Sequence, residues 1–233
     1  MALARVGYIF YERRDPGTPP AKPQLTYTIT ADDYVTSHKI FPYDMKSAAK
    51  ELVGKTVWVR TGNTVPYYRH SPASRSVDLA HRAGLLAPLA KLQVVDLLLQ
   101  RAPVTVKPGE IVIVRRKVVA RFMRQDVPGT FGVIIGDNSG DDFTFIANDL
   151  FFFDDPHELY RHWPADVWTA IDQHQGKKGM NELQMSFALG NPIGASSGDF
   201  GNRWMQYGDP QNPVRVSFEK NQAVEITRER PSE

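Results

Sequence analysis

The fold of this chain is decided by residues 179–226, which begin GMNELQMSFALGNP (179–192) and end PVRVSFEKNQAVEI (213–226). Asn181 is a good N-cap residue, and Gln184 follows three positions later, as in a capping box. Apolar residues recur at helical spacing as far as Gly190, a residue type common at helix C-termini. These features predict one short capped helix.

The segment after this helix is rich in glycine and serine, which predicts a mobile loop at residues 195–201. Beyond it, apolar and polar residues alternate, and Trp204, Val214 and Phe218 mark apolar positions of successive strands. We expect all three of these side chains to lie in a core. The end of the chain is therefore predicted to be a helix followed by a meander of strands.

Four motifs in this region resemble the SmpA/OmlA (BamE-like) family: GMxExQ (179–184), LGNP (189–192), an aromatic strand at 204–207 and VxVxF (214–218). The resemblance implies two short helices packed on a three-stranded antiparallel sheet, with the helix around Trp168 as the first of the two. It also implies an extracytoplasmic module that binds other proteins. Lipoprotein members of the family carry an N-terminal cysteine, and this chain has no cysteine, so we expect no lipid anchor.

The composition is that of an ordinary folded protein. The chain has 233 residues, of which 42% are hydrophobic and 23% charged, and its formal net charge of +2 favours no class of charged partner. The absence of cysteine excludes disulfides, thiol catalysis and thiolate metal sites. No apolar run approaches the roughly 18 residues of a membrane helix, and the first ten residues do not have the pattern of a secretion signal.

The first part of the chain is expected to be rich in β-strands. Apolar patterns predict strands at residues 25–30, 55–60, 92–99, 110–114, 118–122, 130–135 and 143–152. A short helix is predicted at 43–52 and one or two helical turns at 78–89, whereas 61–76 has the composition of a polar loop. Many short strands separated by Gly/Pro turns are typical of a small barrel. This region resembles a bacterial Src-homology-3-type β-barrel.

Together these segments predict an α+β fold, with a small β-barrel-like N-terminal part followed by a unit of two helices and a three-stranded antiparallel sheet. The proline-rich start (1–24) is expected to be an extended lead, residues 25–153 the barrel-like domain and residues 154–233 the BamE-like domain. The boundary is placed near Asp154 because an aspartate followed by a proline, as at 155–156, is typical of a helix start.

Two segments carry residue types that are typical of binding surfaces. The predicted polar loop contains Tyr67, Tyr68 and Arg69, and exposed aromatic and arginine side chains on loops often anchor a partner. The glycine-rich segment contributes four further candidates: Ser196, Ser197, Asp199 and Phe200. We predict that these residues form the binding surface and that loops on a rigid β scaffold present them.

No segment has the pattern of a catalytic or metal site. His70 has Ser74 and Asp78 nearby, but no nucleophile elbow surrounds a serine. A hydrolase or transferase that acts on an envelope polymer is therefore kept as an alternative, with His70 or His162 as its base. His157 and His162 have a poor spacing for metal ligands on one helix face, and we expect no metal and no cofactor.

A second alternative is nucleic-acid binding through the basic run at residues 115–124. This run contains Arg115, Arg116, Lys117, Arg121 and Arg124. Proteins that bind single strands interleave aromatic residues with such basic positions, and here only Phe122 does so. The pattern therefore argues against a nucleic-acid partner.

The leading interpretation is a non-enzymatic protein of the bacterial envelope that binds a protein or a cell-wall component. Its expected location is periplasmic or otherwise extracytoplasmic, and this expectation follows from the two resemblances. The absence of cysteine is compatible with either redox environment, so a cytoplasmic location stays open. The oligomeric state stays open as well.

Overall fold

The structure is a computed structural model that describes residues 29–60, 62, 64–101, 115–210 and 212–228. The chain divides into two compact units, Met1–Tyr34 and Val35–Glu233. The described part of the first unit contains a 3-10 turn at Ala31–Tyr34, in which the Asp33 carboxylate accepts hydrogen bonds from the amide and hydroxyl of Thr30. All other elements described below belong to the second unit.

Helices and strands together make up most of the second unit. The helices are α1 (Met45–Leu52), α2 (Ala147–Leu150), α3 (Pro156–Leu159), α4 (Ala165–Asp172) and α5 (Glu182–Leu189). The first sheet contains β1 (Thr56–Val59), β2 (Pro66–Ser71), β3 (Ser76–Leu85), β4 (Lys91–Arg101), β5 (Arg116–Arg124), β6 (Thr130–Ser139), β7 (Asp142–Phe145) and β8 (Phe151–Phe152). The second sheet contains β9 (Gly194–Ala195), β10 (Trp204–Asp209), β11 (Asn212–Glu219) and β12 (Gln222–Arg228). The predicted α+β class is confirmed.

The first sheet is antiparallel, with the strand order β3-β2-β6-β5-β4-β1-β8 and with β7 paired to β6. Alternation along β5 defines its two faces, because successive side chains of a strand point to opposite sides. Val118, Ala120 and Phe122 enter the core, whereas Lys117 and Arg121 lie on the opposite face. The same face of β6 is buried, so the two central strands share one core.

The barrel-like arrangement predicted for this part is an open sheet in the structure. One end of β3 approaches β4, where the side-chain amide of Gln100 donates to the backbone C=O of Val77 and accepts from its N–H. Among the described strands, no ladder joins β3 to β4. The register between β2 and β3 shifts around Tyr68 and His70, and a bulge of this kind bends a strand.

The helix predicted from residues 179–192 is confirmed as α5. The Asn181 side chain accepts from the N–H of Gln184 at 2.8 Å, and the Gln184 side chain accepts from the N–H of Asn181 at 3.0 Å. The helix ends at Gly190, whose N–H donates to the C=O of Ser186. Local sequence chemistry therefore determines both ends of this helix.

The second sheet has four strands, in the order β12-β11-β10-β9, where three were predicted. The additional strand β9 has two residues and pairs with β10 through Gly194 and Ala195. So short a strand has no periodic pattern of its own, which is why the sequence did not predict it. Helices α4 and α5 share one core with this sheet; its members include Trp168, Met185 and Tyr207.

Two hydrophobic cores meet at the edge of the first sheet. Phe151 belongs to the core of the first sheet and Phe152 to the core of the second sheet. These consecutive residues form strand β8, so their side chains point to opposite faces. Strand β1 behaves in the same way, because Val57 enters the first core and Trp58 packs against the second. The last two strands of this order, β1 and β8, are therefore shared by the two cores.

Three predictions for the first part of the chain are wrong. The single strand expected at 143–152 is interrupted by helix α2, which separates β7 from β8. The helical turns expected at 78–89 are replaced largely by strand β3, and the polar loop expected at 61–76 contains strand β2. The segment of β3 has no strong β-propensity, and this strand forms because it pairs with β2. Cross-strand pairing outweighs intrinsic propensity in such cases.

Several predictions lie outside the described residues: the lead at 1–24, most of the strand at 25–30 and the strand at 110–114. The boundary near Asp154 stays a prediction. Within the described ranges, none of the helices has the length and apolar character that crossing a bilayer requires.

Candidate functional site

The first group of predicted binding residues lies on strand β2, not on a loop. The ring of Tyr67 packs against the first core, with its centroid 5.3 Å from that of Phe131 and 6.4 Å from that of Phe122. The guanidinium of Arg124 lies 5.2 Å from the same ring centroid. On strand β3, a Cβ at Gly84 would lie 2.9 Å from the ring. Tyr67 is therefore partly buried and packed against its neighbours.

Of the other two residues of this group, only Arg69 is more accessible than Tyr67. Tyr68 is half-buried and pairs with Gly132 of strand β6, whereas Arg69 is exposed and pairs with Phe131. Their side chains point to opposite faces of the sheet. The structure thus separates the three residues that the sequence grouped together, and their role in binding stays a prediction.

The second group lies on a loop that is anchored at its base. We call residues 196–203 the glycine loop. Glu182, the first residue of α5, is 4% exposed, and its Oε1 accepts from the N–H of Gly201 at 2.7 Å. Arg203 donates to both carboxylate oxygens, through Nε at 3.0 Å and Nη2 at 2.6 Å. Such charge-assisted bonds are among the strongest in proteins.

Backbone hydrogen bonds hold the two ends of the glycine loop. Ser196 donates its N–H to the C=O of Trp204, and its hydroxyl accepts from the N–H of Trp204. The C=O of Gly201 accepts from the N–H of Asn221 in the turn between β11 and β12. Gly201 has a φ of +77°, and a Cβ there would lie 2.8 Å from the Asn221 nitrogen, so only glycine fits. The loop predicted to be mobile is fixed at its base.

The tip of the glycine loop is exposed. Ser197 and Asp199 face solvent, and Phe200 has 51% of its surface exposed. The Arg203 guanidinium lies 5.8 Å from the centroid of the Phe200 ring. The C=O of Asp199 accepts from the N–H of Asn202 at 2.9 Å. The structure therefore brings the predicted residues of this group together on one short, anchored loop.

The outer face of the second sheet carries an aromatic residue that the sequence assigned to the core. The side chain of Trp204 lies opposite the buried face of β10, which is formed by Met205 and Tyr207. Its ring centroid is 4.1 Å from the Arg215 guanidinium, a cation–π contact. The spacing of Met205 and Tyr207 was the signal that could have assigned this face, because a one-residue shift in a strand exchanges its faces.

His70 lies in a polar cluster on the outer face of the first sheet. Its Nε2 is 3.4 Å from Nη1 of Arg121, and Nη2 of Arg121 donates to the Asp96 carboxylate at 3.3 Å. Burial and the positive charge of Arg121 lower the pKa of His70, and Asp96 opposes them. The imidazole is therefore neutral near pH 7 and accepts a hydrogen bond from Arg121.

The serine and aspartate that the sequence placed near His70 have other partners. Ser74 bonds to the hydroxyl of Ser76 at 2.7 Å, and the Asp78 carboxylate contacts the ring of His81 at 3.0 Å. That contact lowers the pKa of Asp78. The structure therefore gives each member of the proposed Ser, His and Asp set a different neighbour.

His157 and His162 also have separate neighbours. His157 lies between two carboxylates, with Nδ1 3.2 Å from Asp155 and Nε2 3.1 Å from Asp172. Its ring stacks on Trp168 at 4.0 Å between centroids. His162 neighbours other aromatic rings. In the part of the chain that the structure covers, no group of three or more His, Asp or Glu side chains has the arrangement of a metal site.

The basic run that suggested nucleic acid is largely paired. Four of its side chains bond to a neighbouring amide or carboxylate: Arg116 to Asn138, Lys117 to Asp137, Arg121 to Asp96 and Arg124 to Asp126. Arg124 also lowers the pKa of Asp126. These charges are partly neutralised within the protein and are spread over both faces of strand β5.

A cleft of about 260 Å³ lies between the turn after β5 and the end of α4. Its charged lining residues are Lys91, Arg124, Asp126 and Asp172, together with His174. Cations and carboxylates therefore balance within it, so the cleft has no preferred sign of ligand charge. None of the predicted binding residues lines this cleft.

Comparison of the chain with protein-family models, with curated proteins and with solved structures finds no match. The functional argument therefore depends on the geometry of the chain itself.

Proposed function

We propose that this chain is a non-enzymatic binding protein of the bacterial envelope, which contacts a protein or cell-wall partner through the glycine loop. The observation that carries the proposal is the anchored loop itself. An exposed phenylalanine, Phe200, stands at its tip, while its base is held by the buried Glu182 carboxylate. Exposed aromatic side chains with fixed backbones are typical contact residues.

Preorganisation is the physical reason for favouring this loop. A loop that is ordered before binding loses less conformational entropy when its partner arrives. The bonds from Glu182 to Gly201 and Arg203 supply that order. They do not involve the exposed residues Ser197 and Asp199. The contact surface would then consist of one apolar ring flanked by a hydroxyl and a carboxylate.

The location and the partner class are inferred from the resemblance to the SmpA/OmlA family. Two features support it. The capped helix α5 begins where the family motif predicts a helix, and α4 and α5 share one core with β10, β11 and β12. The family consists of extracytoplasmic modules that bind other proteins, so we assign this chain the same class of role.

Binding is tested by pull-down with the tagged chain as bait, from a solubilised bacterial envelope extract and, separately, with isolated cell-wall sacculi. Wild type is compared with Phe200→Ser, which removes the exposed ring at the tip. We expect a partner that the wild type retains and the variant loses. Val224→Ser is the matched control, because Val224 is a similarly exposed apolar residue on strand β12.

Three outcomes decide the proposal. Selective loss of the partner in Phe200→Ser supports it. Equal retention by Phe200→Ser, Val224→Ser and wild type contradicts the assignment to the glycine loop. Absence of any specific partner in both preparations contradicts the binding function itself.

A further inference from the structure

One end of the β2–β3 hairpin lies against the outer face of the first sheet. We call residues 70–77 the hairpin tip; within it, His70 pairs with Val77. Val77 is 1% exposed, and a Cβ at Gly132 of strand β6 would lie 2.7 Å from its side chain and 2.8 Å from that of Val119. Neither valine belongs to the two cores described above. The hairpin tip therefore covers a small apolar contact of its own.

An irregularity in the pairing sets the hairpin tip apart from the rest of the hairpin. Beyond the hairpin tip, the pairing resumes with Tyr68 opposite Arg82. Between this pair and the hairpin tip, a single residue of β2, Arg69, therefore lies against residues 78–81 of β3. A bulge leaves its extra residues out of the ladder and bends the strand. Residues 78–81 therefore form a hinge at the base of the hairpin tip.

Side chains from β4 and β5 tie the hairpin tip to the centre of the sheet. The Gln100 amide of β4 accepts from the N–H of Val77 at 2.8 Å and donates to its C=O. On β5, Nη1 of Arg121 lies 3.4 Å from Nε2 of His70, and Nη2 donates to Asp96. The first tie does not titrate, whereas the second depends on the protonation state of the imidazole.

The contact between His70 and Arg121 requires an imidazole without a proton at Nε2. A guanidinium can only donate hydrogen bonds, so Nε2 is the acceptor and the proton of the neutral ring lies on Nδ1. Nδ1 is buried and has no hydrogen-bond partner among the described residues, and the same is true of Nε of Arg121. A second proton on the ring would therefore break the contact and place two positive groups 3.4 Å apart.

The charged groups around His70 do not favour a second proton. Asp96 is the carboxylate that acts on His70, and it is already bonded to Arg121. Other charged residues of the adjoining strands form pairs among themselves: Lys117 of β5 with Asp137 of β6, and Asp78 with His81 on β3. The remaining charged residues of the hairpin are exposed cations: Arg69, Arg75 and Arg82. A protonated imidazole would therefore be poorly compensated in the closed hairpin.

We propose that the hairpin tip is a pH-operated latch, closed over the outer face of the sheet when His70 is neutral and released when His70 is protonated. Release breaks the contact with Arg121 and lets the hairpin tip turn about residues 78–81, which uncovers Val77 and Val119. The open form binds the proton more readily, so lowering the pH favours it. Burial, and then the charge of Arg121, lower the pKa of His70, which is the sign that this coupling requires. The latch does not depend on the glycine loop or on a binding partner.

The test is native-state hydrogen exchange of the full chain at about pH 7 and about pH 5, on either side of the ordinary pKa of histidine. Each amide rate is divided by its intrinsic rate at the same pH. We expect protection of the hairpin tip to fall severalfold in acid and by at most about thirtyfold, the limit for a pKa of about 6.5 in the open form and no proton binding in the closed form. In acid, this exchange should not respond to low concentrations of urea, because a local opening exposes little surface.

Two histidine variants separate the latch from other effects of acid. His70→Gln removes the titrating group while its amide oxygen can still accept from Arg121, so its hairpin tip should be equally protected at both pH values. His81→Gln is the matched control, because His81 is an exposed histidine of the same hairpin that contacts Asp78, and it should respond to acid as wild type does. In wild type, the loss of protection should have the same midpoint as the titration of the His70 imidazole, followed by NMR.

Four outcomes would overturn the latch. The first is unchanged protection of the hairpin tip in wild type between the two pH values, and the second is an equal loss in His70→Gln. A loss that His81→Gln abolishes would assign the response to the contact between Asp78 and His81 instead. If urea accelerates exchange of the hairpin tip as strongly as that of α5, acid unfolds the whole chain and no latch opens. A midpoint that differs from that of the His70 imidazole contradicts the proposal without any variant.

Discussion

Tyr67 and Phe200 were both predicted to be exposed aromatic anchors on loops, yet the structure places them in opposite situations. Tyr67 lies on strand β2 and is partly buried, with its ring packed against Phe122, Phe131 and Arg124. Phe200 stands half-exposed on the glycine loop. The same residue class therefore contributes to folding in one region and is available for contact in the other.

The difference shows that the strand pairing of a segment decides whether its aromatic side chain packs or stays exposed. The segment around Tyr67 pairs with β3 on one side and with β6 on the other. It therefore lies inside the sheet, and the Tyr67 ring packs against neighbouring strands. The glycine loop has no such ladder at its tip, so its order depends on side-chain bonds to Glu182. Stability and binding can be separated experimentally on this basis.

The largest effect should come from Tyr67→Ala. The ring is partly buried and packs against Phe122 and Phe131, so its removal should cost about 3 kcal/mol, the lower end of the range for aromatic residues replaced by alanine. We expect the free energy of unfolding, measured by urea denaturation, to fall by about 3 kcal/mol. A change below about 1 kcal/mol would mean that the ring is not packed as described.

A smaller loss should follow from Glu182→Ala. This substitution leaves the Arg203 guanidinium without its carboxylate. Because Arg203 is partly exposed, we expect the free energy of unfolding to fall by about 2 kcal/mol, less than for a fully buried pair. The amide of Gly201 should also exchange faster with solvent, as seen by hydrogen exchange. If the exchange of Gly201 is unchanged, Glu182 is not the anchor of the glycine loop.

Asn181→Ala should cost about 1 kcal/mol, since it removes the N-cap of α5. The measurement is again urea denaturation, and Asn181→Ser is the matched control because serine also caps helices well. Equal destabilisation by alanine and by serine would contradict the capping role.

Lowering the pH should reduce the contribution of His70, on strand β2, to stability and should not affect the glycine loop in this way. The pKa of His70 is lowered in the folded state, so the unfolded chain binds the proton more readily. This contribution to stability is complete above the unfolded pKa of about 6.5 and is lost as pH falls toward the folded pKa. His70→Gln should therefore show a smaller loss of stability than wild type between about pH 7 and pH 5.

The glycine loop contains no histidine, so its hydrogen exchange should depend on pH in the same way in wild type and in His70→Gln. Identical pH profiles of stability for the two proteins would mean that the pKa of His70 does not differ between the folded and the unfolded chain. A difference that appears in the glycine loop instead would contradict the separation of the regions.

The smallest effect on stability should be that of Phe200→Ser, within about 0.5 kcal/mol, because the ring is exposed. Tyr67→Ala should therefore lower the free energy of unfolding several times more than Phe200→Ser does. A loss comparable with that of Tyr67→Ala would place Phe200 among the packing residues and would remove the physical basis for the proposed contact.

The sequence predicted those parts of the molecule whose structure is set locally. Asn181, Gln184 and Gly190 determine α5 within a few residues, and the strands at 55–60 and 130–135 have strong alternating patterns. The glycine-rich composition also placed the loop correctly. In each case neighbouring residues supply the decisive interactions.

The remainder depends on contacts between distant residues. Strand β3 forms because β2 pairs with it, and the two-residue β9 exists only beside β10. The anchor of the glycine loop joins Glu182 to Arg203, across 21 positions of the chain. A single sequence carries no local signal for such pairs, so the packing of Tyr67 and the fixation of the loop required the structure.

The most direct test of the account is photo-crosslinking from two positions in the same envelope preparation. A photoreactive phenylalanine analogue is placed at Phe200 in one protein and at Tyr67 in another, and each is irradiated with envelope extract and sacculi. We predict a discrete crosslinked product from position 200 and none above background from position 67. Crosslinks from position 67 without any from position 200 would contradict the claim that the glycine loop makes the contact.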